Sequence, residues 1–141
     1  MRNSVKIFTD LQFRRVIMRF TAVTHSAAYD DKKLSEAYRA SRPIGVLRIG
    51  DDCLFFRAGM RNYYIPYNDI RRCFRRVMLV PAKLCCGRGD FEIENLVIQG
   101  DEGELAQIQL PGSRAARAVM EELKTKIPHA DFTAPEKTEQ P

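Results

Sequence analysis

The segment between Pro111 and Pro128 constrains this chain more than any other. Pro111-Gly112 breaks the preceding run, Ser113 is placed to cap a helix, and Ala116, Val119, Met120, Leu123 and Ile127 recur at i, i+3, i+4, i+7 and i+11. That pattern predicts an amphipathic helix over Ser113–Ile127 of about four turns, ended by Pro128, with Arg114, Arg117, Glu121, Glu122 and Lys124 facing water. A stripe of this width needs an apolar surface to cover. The rest of the chain must supply one, and its grammar is that of short strands.

From Ile44 to Leu110 the runs are short and rich in β-branched and aromatic residues, with turn-forming residues between them. Ile44–Ile49, Cys53–Arg57 and Tyr63–Pro66 are separated by Gly50-Asp51-Asp52 and Ala58–Asn62, which predicts an antiparallel meander. Pro66 cannot donate to a ladder, so that strand ends there or lies at an edge. Ile70–Val80 fits helix and strand periods alike; its β-branched and aromatic content, closed by Pro81, favours strand. Phe91–Gln99 and Leu105–Leu110, joined by Gly100-Asp101-Glu102-Gly103, form a hairpin. The expected core comprises Val46, Leu47, Ile49, Leu54, Phe56, Ile65, Ile70, Phe74, Leu96, Ile98, Ile108, Leu110, Val119, Met120, Leu123 and Ile127.

Ahead of the strands, Leu11–Thr24 suits a helix or a strand, with strand favoured after Arg15. Asp30–Ala40 reads as a short helix, capped by Asp30 or Asp31 and carrying Leu34, Ala37 and Tyr38 on one side, with Pro43 limiting it. A chain of 141 residues fits one domain. Its parts are an extension over 1–43, a central unit over 44–128 and a flexible tail over 129–141. The predicted class is α+β: a curved antiparallel barrel or sandwich of six or seven strands, closed by the last helix, with the short helix near the amino end.

This order of elements resembles the pleckstrin-homology-like (PH-like) superfold in its GRAM and bacterial PH-type versions. The likeness rests on Gly45-x-Leu47-x-Ile49, Leu54-x-Phe56 and Tyr64-Ile65-Pro66-Tyr67-Asn68-Asp69-Ile70, followed by a late hairpin and a closing helix. It covers about residues 44–128. The resemblance implies a binding platform rather than a catalyst, and in such domains lipid headgroups are often held by basic residues near the first hairpin loop. Here that loop is Gly50-Asp51-Asp52, which is acidic and repels phosphate. There is also no Trp in the closing helix, where many eukaryotic PH domains carry one.

Charge is unevenly spread. Residues 1–88 carry 18 Lys and Arg against 7 Asp and Glu; residues 89–141 carry 5 against 11, and the two parts sum to the net +5. The basic part can steer phosphate, anionic lipid or an acidic partner, or meet the acidic part within the fold or on a neighbouring copy. Arg71, Arg72, Arg75 and Arg76 are the densest cluster, and with Lys83 and Arg88 they form the candidate anion- or partner-binding face. Phe55, Phe56, Tyr63 and Tyr64 interleave with Arg57 and Arg61 in a manner that suits nucleic acid. At strand period, however, half of those rings enter the core, so nucleic acid is a weak expectation.

Cys53, Cys73, Cys85 and Cys86 form no Cys-x-x-Cys pair, and with only His25 and His129 there is no metal-ligand spacing. Adjacent Cys85-Cys86 do not readily bridge; beside Lys83 and Arg88 they are either strand-end packing or reactive thiols. Arg88-Gly89-Asp90 reads as a turn, and Glu92 with Glu94 as the wet side of a strand. No nucleophile elbow, phosphate loop or dinucleotide fingerprint occurs, so neither catalysis nor a cofactor is expected. No apolar stretch approaches the roughly 20 residues of a membrane span, and the first residues carry no signal core. The expectation is a cytoplasmic protein, or one peripheral to the inner face of the membrane, that binds a protein partner or itself. Anionic lipid, through the basic face, is the alternative.

Overall fold

The computed structural model describes residues 17–25, 29–81 and 90–135. Two sheets and two helices make an α+β fold. In chain order these are β1 (Phe20–Ala22), α1 (Asp31–Ala40), β2 (Arg42–Ile44), β3 (Leu47–Ile49), β4 (Cys53–Ala58), β5 (Arg61–Pro66), β6 (Arg72–Pro81), β7 (Asp90–Gly100), β8 (Gly103–Leu110) and α2 (Ser113–Lys126). One sheet has the order β1-β5-β4-β3-β2 and the other β6-β7-β8. Every pairing is antiparallel except β1 with β5, which run parallel.

Alternation along the strands of the first sheet sends side chains to two separate cores. Leu47, Ile49, Leu54 and Ile65 point to the main one, where they meet Cys73, Leu96, Ile98, Ile108 and Leu110 from the second sheet. The stripe of α2 joins them: Ala116, Val119, Leu123 and Ile127 are fully buried and Met120 nearly so. The opposite face carries Cys53, Phe55 and Tyr64, which pack with Leu34 of α1 and, at the margin, Phe20, Ala37 and Tyr38. Tyr38 meets Phe55 edge to face at 5.5 Å between centroids, a preferred aromatic geometry. α1 begins where Asp30 accepts a hydrogen bond from the Lys32 amide, and its narrow stripe suffices because this second core is small.

The structure corrects several expectations. Of the barrel or sandwich of six or seven strands expected, the closed barrel does not form: eight strands lie in two sheets among the described residues. Ile44–Ile49 is not one strand, because Gly45 at φ +61° turns the chain between β2 and β3. Val46 therefore sits on that turn, 48% exposed, and is not core. Phe56 lies at the rim of the main core rather than inside it. Phe74 is buried, but its register partner is Val97, on the face of its sheet opposite Cys73 and Ile98. Gly112 rather than Ser113 takes the N-cap position of α2, and no side chain caps that helix.

The last described residues also stay with the body. The Cys73 amide donates to the Asp131 carbonyl (2.9 Å), and the Asp131 amide to that of Arg71 (2.9 Å). Ala130 and Phe132 pack against the main core. A tail starting at 129 is thus placed too early. Residues 11–16 of the ambiguous amino-terminal run, and all of 136–141, lie outside the described residues.

Candidate functional site

The four clustered arginines do not converge. Arg72 and Arg76 point to one face of the β6–β7–β8 sheet and Arg75 to the other, while Arg71 precedes β6. Each is engaged by a carboxylate from the acidic part of the chain. Arg71 meets Asp101 at 2.8 Å, Arg72 meets Asp131 at 3.0 Å, and Arg76 meets Glu104 at 3.1 Å. Arg75 grips Glu94 with two nitrogens, Nε at 3.2 Å from Oε2. Glu94 is 4% exposed, so it is not the wet side of a strand but a buried carboxylate held by a cation. Arg42–Glu122 at 2.8 Å repeats the pattern. The opposite charges of the two parts of the chain meet inside one molecule. Lys83, Arg88, Cys85 and Cys86 lie outside the described residues.

An incoming anion must therefore compete with a carboxylate at each of these four arginines. Exposed pairs of this type contribute at most about 1 kcal/mol each, but together they cancel the field that density of charge suggests.

The outer edge of β6 is a different kind of surface. Odd-numbered residues of β6 turn their amides away from β7, and Asp131 occupies this edge at Cys73. Beyond it, Arg75, Val77 and Leu79 have no backbone partner on that side among the described residues. Pro81, which has no N–H, closes the window. Val77 is 49% and Leu79 66% exposed, and Met78 and Phe91 are also exposed on the other face of the same hairpin.

Strands β2 to β5 supply no acid of their own to the end of the first sheet at the β4–β5 turn, although Asp31 of α1 reaches it, accepting from the Phe20 amide (3.3 Å) beside Asn62. Not one Asp or Glu occurs from Ala37 to Gly50 or from Cys53 to Asn68. These segments build β2 to β5, whose acidic loop Asp51-Asp52 lies at the opposite end, where Lys126 pairs with Asp51 at 2.8 Å. At the end away from that loop the β4–β5 turn projects Met60, 92% exposed. The Arg57 amide donates to the Val46 carbonyl at 3.1 Å, so the two turns lie side by side. Arg57 and Arg61 are exposed, on opposite faces of the hairpin, and neither has a carboxylate within ion-pair distance among the described residues. Of the four interleaved rings, Phe55 and Tyr64 are buried, and Phe56 stacks on Tyr63 at 5.3 Å.

The histidines serve different settings. His129 Nε2 lies 3.2 Å from both the Tyr67 and Ile70 carbonyls. Two acceptors require a proton on that nitrogen, so His129 ties the chain after α2 to the turn before β6. His25 lines a cleft of about 280 Å³ with Thr24, Asp69, Asp101 and Glu102. Asp69 accepts from the Thr24 hydroxyl at 2.6 Å and Asp101 holds Arg71. Burial pushes the Cys53 thiol up to about 11, helped by Asp52 and Asp69, and the Cys73 thiol up to about 12. Both remain protonated near neutrality and are poor nucleophiles. Among the described residues no group of three or more His, Cys, Asp or Glu is arranged to hold a metal ion, and no helix is long and apolar enough to cross a membrane.

Compared with protein-family models, curated proteins and solved structures, the chain has no significant match in any of the three.

Proposed function

We propose that this chain is a non-catalytic docking module built on a PH-like sandwich, and that it associates with a second copy of itself through the free edge of β6. Two facing sheets covered by a terminal helix support the PH-like reading. One observation carries the docking reading: among the described residues the β6 edge leaves three outward amides open at Arg75, Val77 and Leu79, bounded by Asp131 and Pro81 and flanked by exposed apolar side chains.

Open edges of this kind accept an added strand. The window is self-complementary. Antiparallel pairing about a two-fold axis at Val77 puts Val77 against its own copy and Arg75 against Leu79. It forms about six inter-chain hydrogen bonds and removes Val77 and Leu79 from water. Such a dimer rests on backbone bonds and apolar contact, so added salt leaves it intact, unlike an association of opposite charges.

The test is sedimentation velocity across protein and salt concentration, on the natural sequence and on Val77→Pro. The Val77 N–H points away from β7, so proline there removes no hydrogen bond within the molecule while blocking the shared ladder. The expected result is a concentration-dependent, salt-resistant dimer that Val77→Pro abolishes with the circular dichroism spectrum retained. A chain that stays monomeric throughout, or a Val77→Pro variant that still dimerises, overturns the proposal.

A further inference from the structure

We infer that the β4–β5 turn of one copy docks head to tail in the cleft beside the β7–β8 turn of another, with Met60 entering the cleft and Arg57 and Arg61 meeting its carboxylates. This contact uses no residue of the β6 edge and does not depend on the two-fold dimer.

The tip is narrow. Ala58 pairs with Arg61, so Gly59 and Met60 alone join β4 to β5, and two residues make the shortest of the common hairpin connections. Met60 is the most exposed of the large hydrophobic residues, at 92%. An unbranched thioether side chain adapts to irregular apolar surfaces, a property used where one protein surface fills another. Arg57 and Arg61 flank it from the two faces of the hairpin, without an ion pair among the described residues. Asp31 approaches this end at the Phe20 amide beside Asn62, but it forms an ion pair with neither arginine.

The cleft lies at the opposite end of β5. Val23 and Thr24 follow β1, Asp69 closes the turn after β5, and Asp101 and Glu102 belong to the β7–β8 turn. Six residues of β5 stand between tip and cleft, about 20 Å of strand, so one copy cannot fill its own cleft. Val23 and Leu105, both packed on the main core, give the cleft an apolar wall. Three carboxylates line it, and Arg71 pairs with Asp101 alone. Glu102 is exposed and has no ion pair among the described residues. At about 280 Å³ the cleft is smaller than the roughly 300–1,000 Å³ of sites that enclose small-molecule ligands, and its scale is that of one long side chain. An apolar wall under a negative rim thus faces a tip with one apolar side chain between two cations. Both halves of this charge complementarity belong to the same sequence, which makes a second copy the fitting occupant.

Each copy gives its tip to one neighbour and its cleft to another. A contact of this kind does not close on itself as a two-fold pairing does; repeated, it strings copies into a row. Its ion pairs are exposed, so each raises association by at most about fivefold, and the row disperses as salt rises.

The experiment is sedimentation velocity of the full chain carrying Val77→Pro, which takes the β6 edge out of the reading, over a range of protein concentrations at low and high salt. The expected result is an open series of species that lengthens with concentration at low salt, and monomer at high salt. A tip variant (Arg57→Ala, Met60→Ser, Arg61→Ala) and a cleft variant (Asp101→Asn, Glu102→Lys) each lower association about 25-fold or more, two exposed ion pairs at about fivefold each. All five side chains are exposed at or beside turns, and retained circular dichroism checks the fold. Mixed in equal amounts, the two variants form one-to-one pairs and nothing larger, because one keeps its cleft and the other its tip. Absence of association at low salt overturns the inference, as does association at the parent level by either variant. A mixture that stays monomeric, or that grows beyond pairs, overturns it too. The β6 dimer is read on the natural sequence at high salt, where the head-to-tail row is dispersed, so either result can fail without the other.

Discussion

Replacing Leu123 by alanine tests the central packing claim. Leu123 lies on the buried stripe of α2, with no exposed surface, in the cluster that both sheets build. Truncation removes the buried methyl groups and leaves a cavity that a sheet-bounded core closes only in part. The expected loss is about 3 to 4 kcal/mol, equivalent to about 10–15 °C in midpoint for a domain of this size. Val46→Ala is the matched control. Val46 is 48% exposed on the β2–β3 turn, so its truncation costs about 0.5 kcal/mol or less. Urea denaturation followed by circular dichroism measures both, at one fixed protein concentration so that any association weighs equally on the two variants. The slope against denaturant stays constant while the midpoint falls for Leu123→Ala alone. A loss under about 1 kcal/mol at Leu123, or equal losses at the two sites, refutes the packing described.

Two further outcomes follow from the same geometry. The buried thiols have folded pKa values raised from near 9.0 to about 11 for Cys53 and about 12 for Cys73. The unfolded chain therefore releases those protons first, so their contribution is complete below pH 9 and is lost as pH rises through the folded values. Cys73→Ala has a lower baseline but a flatter fall in urea stability above pH 9; parallel curves for the two proteins contradict this. Gly45→Ala forces a β-carbon into φ +61° and to within 3.2 Å of Pro111 Cδ, whereas Gly59→Ala has φ +60° with open space around it. Both lose about 1 kcal/mol to backbone strain, and Gly45→Ala loses more, as comparative thermal melts measure; equal losses mean the Pro111 contact yields freely.

Periodicity over several turns is robust to context, which is why α2 was readable from Ala116, Val119, Met120, Leu123 and Ile127, and the late hairpin from its turn composition. The break at Gly45-Val46 was not readable. A single glycine inside an apolar run marks a turn only when something packs behind it, and Pro111 lies 66 positions further along the chain. The parallel pairing of β1 with β5 depends on a similar distant choice, since three residues carry little pattern of their own. For the surface, density of positive charge drew attention to Arg71, Arg72, Arg75 and Arg76, but density does not reveal where the counter-charges sit. The longer signal was an absence. Two stretches without any acid, Ala37–Gly50 and Cys53–Asn68, flank the Asp51-Asp52 loop; even so, Arg42 of the first finds Glu122 from far along the chain, while Arg57 and Arg61 of the second have no ion pair among the described residues.

The two cores differ in when a growing chain can complete them. The aromatic cluster of Leu34, Cys53, Phe55 and Tyr64, with Phe20 and Tyr38 at its margin, draws on residues 20 to 64 alone. The larger one waits for Leu123 and Ile127, near the carboxyl end of the described residues. During synthesis, which proceeds from the amino end at about 5–20 residues per second, the first sheet can acquire its helical backing while the surface destined for α2 stays open to other molecules for several seconds.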